Sequence, residues 1–123
     1  MKQVLLMTLL LLFVVLLSAT NVWYTVTVTN YEHFSSGRMY AIDLAGYNRL
    51  GSDTMHSTST PGVYKCWLPK PNPGQNIRVN AVIPDQVANG WWGNSTRDFN
   101  QNSTDFSLPP ITLQDSSNPP NPK

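Results

Sequence analysis

Residues 22–29 read VWYTVTVT, and the fold depends on how this stretch is read. Tyr24, Val26 and Val28 alternate with Thr25, Thr27 and Thr29. Successive side chains of an extended backbone point to opposite faces, and β-branched residues suit a pleated surface. The stretch therefore predicts a strand with one face in a core and the other in water.

The same period recurs downstream. Residues 38–45 (RMYAIDLA) place Tyr40, Ile42 and Leu44 on one face and Met39, Ala41 and Asp43 on the other. This predicts a second strand, expected to be the hairpin partner of the first across the polar residues 30–37. Residues 63–68 (VYKCWL) and 76–83 (NIRVNAVI) predict two more strands. Residues 46–53 have the glycine, asparagine and aspartate content of a turn, and a short edge strand is expected within 54–58. Pro61-Gly62 marks a tight turn. Three prolines in PKPNPG (residues 69–74) fix φ and remove donors, which predicts a stiff connection. Residues 84–104 are polar and glycine-bearing and read as a long loop, followed by a last strand at 111–114 after Pro109-Pro110.

Nowhere after residue 20 do apolar residues recur at helical spacing over ten or more positions. The expectation is an all-β domain of roughly six to eight short strands. Polar faces alternating with apolar ones favour an antiparallel β-sandwich over a parallel sheet, whose strands are apolar on both faces. An immunoglobulin-like or other Greek-key sandwich is the first expectation, with a small barrel second. The cysteine, tryptophan, cysteine framework of true immunoglobulin domains is missing, because Cys66 is the single cysteine.

Upstream, Lys2 precedes an apolar run at residues 4–17, broken by Thr8 and followed by Ser18, Ala19 and Thr20. This is the layout of a signal peptide cut near Ala19 or Thr20, with an uncleaved anchor as the rival reading. The expected organisation is a signal peptide at 1–19, a β-sandwich at 20–114 and a disordered Pro/Asn-rich tail at 115–123. The protein would then be secreted, extracellular and free of the membrane once cleaved. Without Lys2 the seven remaining Lys and Arg balance seven Asp and Glu, so a nucleic-acid partner is not expected. No intrachain disulfide can form, and the alternation around Cys66 places it with Tyr64 and Leu68 as a small buried hydrophobe.

The motifs of common enzymes are missing: no nucleophile elbow, zinc-protease helix or phosphate-binding glycine loop occurs. No catalytic residue, metal site or cofactor is expected. Glu32-His33 reads as a solvated turn, His56 has no second ligand at zinc spacing, and Asp43, Asp53, Asp85, Asp98 and Asp105 do not follow a calcium-loop pattern.

Residues 89–96 (NGWWGNST) hold the clearest candidate site. Neighbouring residues of an extended chain face opposite ways, so one of Trp91 and Trp92 is expected to plug the core and the other to meet a ligand. Asn89 and Asp98 would supply hydrogen-bonding groups beside the exposed ring. Asn94 and Asn102 begin N-x-[ST] sequons and are the expected glycosylation sites. The functional expectation is a non-enzymatic binding domain whose partner is a glycan or an extracellular protein. A structural or interaction domain acting by oligomerisation or strand-edge pairing, with the threonine-rich first strand as the edge, is the alternative, and a secreted hydrolase is a remote third.

Overall fold

The computed structural model describes residues 20–84 and 90–115. The expected signal peptide, Asp85, Asn89 and nearly all of the expected tail lie outside the described residues. Among the described residues eight strands follow in order: β1 (Asn21–Thr27), β2 (Arg38–Asp43), β3 (Asn48–Thr54), β4 (His56–Ser57), β5 (Val63–Pro69), β6 (Ile77–Ile83), β7 (Trp91–Phe99) and β8 (Gln114–Asp115). A short 3-10 turn at Tyr31–His33 stands between β1 and β2. Among the described residues no helix is long and apolar enough to cross a membrane.

The strands form two antiparallel sheets, one of three strands in the order β1-β5-β4 and one of five in the order β3-β2-β6-β7-β8. All-β architecture built from two antiparallel sheets agrees with the alternation in the sequence. Pairing differs from the expectation at one point. β1 pairs with β5, placing Tyr24 opposite Cys66 and Trp23 opposite Trp67, while β2 forms its hairpin with β3. The connection at 30–37 therefore crosses between sheets. The turn expected across 46–53 shrinks to residues 44–47, with Tyr47 at φ 55, and the rest of that segment is β3.

The buried faces meet in one core. Tyr24 and Val26 of β1, Val28 just after it, and Tyr64, Cys66 and Leu68 of β5 pack against Met39 and Ala41 of β2 and Ile77, Val79, Ala81 and Ile83 of β6. Period two built each of these faces, and burial of such side chains stabilises by about 1.5–3 kcal/mol apiece. Phe99 and Phe106 meet the Tyr24 ring edge-on at 5.1 and 5.3 Å, and the Tyr24 hydroxyl donates to the Pro69 carbonyl at 2.7 Å. Burial raises that phenol to about 12.

The largest departure from the sequence reading is the expected loop at 84–104, which contains the nine-residue strand β7. β7 pairs with β6 over its whole length after Trp92, from Gly93 opposite Ile83 to Phe99 opposite Ile77. Beyond it, residues 106–111 run beside β1. Phe106 accepts from the Thr25 amide, Thr25 and Thr27 accept from Leu108 and Ile111, and the Ile111 carbonyl accepts from Thr29, at 2.8–3.0 Å. The bridges Thr25↔Ser107 and Val28↔Ile111 are parallel. β1 is thus covered on both sides, by β5 and by this segment, and the open edge expected of the threonine-rich strand is closed. The same segment reaches β7, where Ser95 Oγ donates to the Pro109 carbonyl at 2.6 Å and Arg97 Nη1 to the Ser107 carbonyl at 2.7 Å. It therefore ties the two sheets together along one side.

Candidate functional site

Alternation along β7 points Trp91, Gly93, Ser95, Arg97 and Phe99 inward and Trp92, Asn94, Thr96 and Asp98 outward. Trp91 packs against the core, and its indole lies flat on the His33 imidazole, with centroids 3.7 Å apart and planes 5° from parallel. Glu32 Oε1 stands 3.6 Å from His33 Nε2. Trp92 is half-buried on the outer face of the five-stranded sheet. Asp98 lies six positions along the strand from Trp92, a span of about 20 Å at ordinary strand rise. A loop could have gathered the two around one ligand, whereas the strand spreads them along one face.

Asp98 is also engaged. Its carboxylate accepts from Arg78 Nε at 2.8 Å and Arg78 Nη2 at 3.2 Å across the β6–β7 pair. That bidentate contact holds its carboxyl below the usual carboxylate range. Asn94 is exposed on the outer face, and Asn102 is exposed in the turn after β7, where its amide donates to Asn100 Oδ1 at 2.8 Å. Both sequon asparagines therefore present their side chains to solvent.

A second aromatic surface lies on the outer face of the three-stranded sheet. The β1–β5 register sets Trp23 directly against Trp67. Their ring centroids are 4.9 Å apart with planes at 53°, and the two residues remain 43% and 46% exposed. Large aromatics are normally covered, so two half-bare indoles side by side form an apolar patch that the core does not need. Groups that can hydrogen-bond surround it. Lys65 Nζ sits 4.3 Å from the Trp23 centroid, and the His56 ring approaches Trp23 edge-on at 6.4 Å.

Asp53 organises this rim. One carboxylate oxygen is 3.2 Å from His56 Nε2, and the other accepts the Trp67 backbone amide at 2.8 Å. Burial pushes the Asp53 carboxyl up, but the Trp67 amide and the His56 ring outweigh it and hold the group below its ordinary value. Asp53 lies at the end of β3, where the chain leaves the five-stranded sheet and enters the three-stranded one as β4. That crossing brings the carboxylate over β5. Cys66 lies beneath it, fully buried, with Sγ donating toward the Asp53 and Thr54 carbonyls at 3.4 and 3.3 Å.

The period of two already placed Trp23 on the Thr25 and Thr27 face and Trp67 on the Lys65 face. Their juxtaposition follows only from strand pairing between residues more than 40 positions apart. Chemically, the surface offers flat apolar rings bordered by an ammonium, an imidazole and a carboxylate. Among the described residues no group of three or more His, Cys, Asp or Glu is arranged to hold a metal ion. No family model, curated protein or solved structure matches the chain.

Proposed function

We propose that the chain is a secreted, non-enzymatic recognition domain that binds sugar on the outer face of its three-stranded sheet. The observation that carries this reading is the cross-strand pair of half-exposed indoles, Trp23 and Trp67, at 4.9 Å. The face of an aromatic ring is electron-rich, and the C–H face of a pyranose is apolar and slightly positive, so the two stack. Such sites combine flat apolar contact with a few placed polar groups, here Lys65, His56 and Asp53. Contact on strands also presents the rings on rigid backbone, which lowers the ordering entropy of binding.

The apolar run at residues 4–17 supports export, and accessible Asn94 and Asn102 support glycosylation in a host that performs it. The strand order supports an immunoglobulin-like sandwich. With β1 to β7 read as the second to the eighth strand of a variable-type domain without its C″ strand, β1-β5-β4 matches B-E-D and β3-β2-β6-β7 matches C′-C-F-G.

A glycan array probed with the full chain, followed by titration of a neutral binder with tryptophan emission as the signal, tests the reading. Trp23→Ala and Trp67→Ala should each weaken binding about tenfold or more, as expected when a stacking ring worth at least 1.4 kcal/mol is removed. An array without a neutral binder, or both variants binding as the parent does, overturns it.

A further inference from the structure

The outer face of the five-stranded sheet carries charge that the fold leaves unneutralised. Tyr40 lies mid-strand on β2, and Arg49 Cζ stands 4.6 Å from its ring centroid. Arg38 Nη2 donates to Ser52 Oγ at 3.1 Å, and Ser52 is the residue opposite Tyr40 on β3. Two guanidinium groups thus lean toward one cross-strand pair, Arg38 from the start of β2 and Arg49 from β3. Arg78 and Arg97 face Asp98 and Asp105, at 2.8 and 3.6 Å, whereas neither Arg38 nor Arg49 has a carboxylate partner among the described residues.

The surface between them is concave. A depression of about 430 Å³ is bordered by Tyr40, Arg49, Asn80 and Thr96. A second, of about 360 Å³, is bordered by Arg38, Tyr40 and Val82. Tyr40 and Val82 line both, so the two depressions are neighbours on this face, one at Arg38 and one at Arg49. Asn80 Oδ1 accepts the Thr96 hydroxyl at 2.6 Å, which turns the amide nitrogen of Asn80 toward donation.

We infer that this face binds an acidic sugar chain, whose sulfate or carboxylate group lies between Arg38 and Arg49. The planar guanidinium matches two oxygens of an oxyanion, and an anion between two cations relieves their mutual repulsion. Charge complementarity therefore selects the occupant. Tyr40, Asn80 and Thr96 supply the ring contact, amide and hydroxyl that a sugar requires, and the two neighbouring depressions offer more surface than a single ion needs. A formal net charge of +1, of which Lys2 supplies the excess, and two guanidinium groups without a carboxylate on this face among the described residues fall short of the basic surface that tracks a nucleic-acid backbone. This surface lies on the opposite sheet from Trp23 and Trp67 and stands independently of their role.

The test uses the full chain made in bacteria, so that Asn94, which borders the depression, carries no sugar. Retention is measured on immobilised heparin, polygalacturonate and dextran at low and moderate salt. Binding to heparin, polygalacturonate or both is expected, with no binding to dextran through this face and weakening at higher salt. Heparin alone assigns sulfate, and polygalacturonate alone assigns carboxylate. The Arg38→Gln/Arg49→Gln double variant should lose about tenfold or more, since charged hydrogen bonds contribute about 1.5–3 kcal/mol each. Trp23→Ala should retain binding, which separates this site from the aromatic one. Absence of retention on both acidic supports, an unaffected double variant, or an equal loss in Arg78→Gln overturns the inference.

Discussion

Cys66 lies at full burial beneath Asp53 and Thr54, and burial pushes its thiol up to about 12. A thiolate is the reactive form, so the native protein should resist a thiol reagent such as dithionitrobenzoate at pH 8 and react stoichiometrically in urea. Asp53 behaves in the opposite sense. Its carboxyl titrates below the ordinary value of 3.8 in the folded chain, so the stability it supplies is complete above that value and is lost as pH falls through the lower native one. Asp98 and Asp105 are lowered as well, by Arg78 and by Ser107 respectively, and act with the same sign. Thermal midpoints measured from pH 6 to pH 3 should fall, and Asp53→Asn should fall less steeply because one of the three titrating groups is gone.

The elements differ in how openly the chain declares them. β1, β5 and β6 were readable because their inward positions are Tyr, Val, Leu, Ile and similar residues that meet the core. β7 was not, because its inward positions Gly93, Ser95 and Arg97 serve the segment at 106–113 instead. A Cβ on Gly93 would stand 2.6 Å from Ile111 Cγ2, so only glycine lets that segment lie so close, while Ser95 and Arg97 hydrogen-bond its carbonyls. The pattern of a half-buried strand is therefore replaced by one suited to close backbone approach. β3 is concealed for a related reason, since its residues NRLGSDT are mostly exposed, carry no apolar alternation and share the composition of a turn. Of the candidate site, the exposed sides of Trp23 and Trp67 were implicit in period two, but their pairing rests on long-range register. Two measurements test the role of the segment by chemical denaturation. Gly93→Ala should destabilise by about 1–3 kcal/mol through overpacking against Ile111. Ile111→Ala, at a position 2% exposed, should destabilise by about 2–5 kcal/mol.

In the whole molecule the two candidate surfaces face away from each other, one on each sheet. The proposed neutral-sugar face and the inferred acidic-sugar face would together let the domain join two different polymers. Light scattering should therefore rise when the protein is mixed with a neutral glycan that it binds and an acidic one together. The rise should disappear in either Trp23→Ala or the Arg38→Gln/Arg49→Gln variant. The surfaces are connected through the core and through the segment at 106–111, which is bonded to both sheets.

That segment also sets when the fold can close. β1 is the first described strand, and one of its hydrogen-bonding sides is supplied by residues about 80 positions later, as in Thr25 to Phe106. A nascent chain carries β1 with an unsatisfied edge until nearly all of the described sequence has been made. Pairing at such separation slows folding into the millisecond-to-second range typical of sandwiches. It also leaves a threonine-rich edge open to wrong partners in the interval, which makes the segment at 106–111 a safeguard against misassembly.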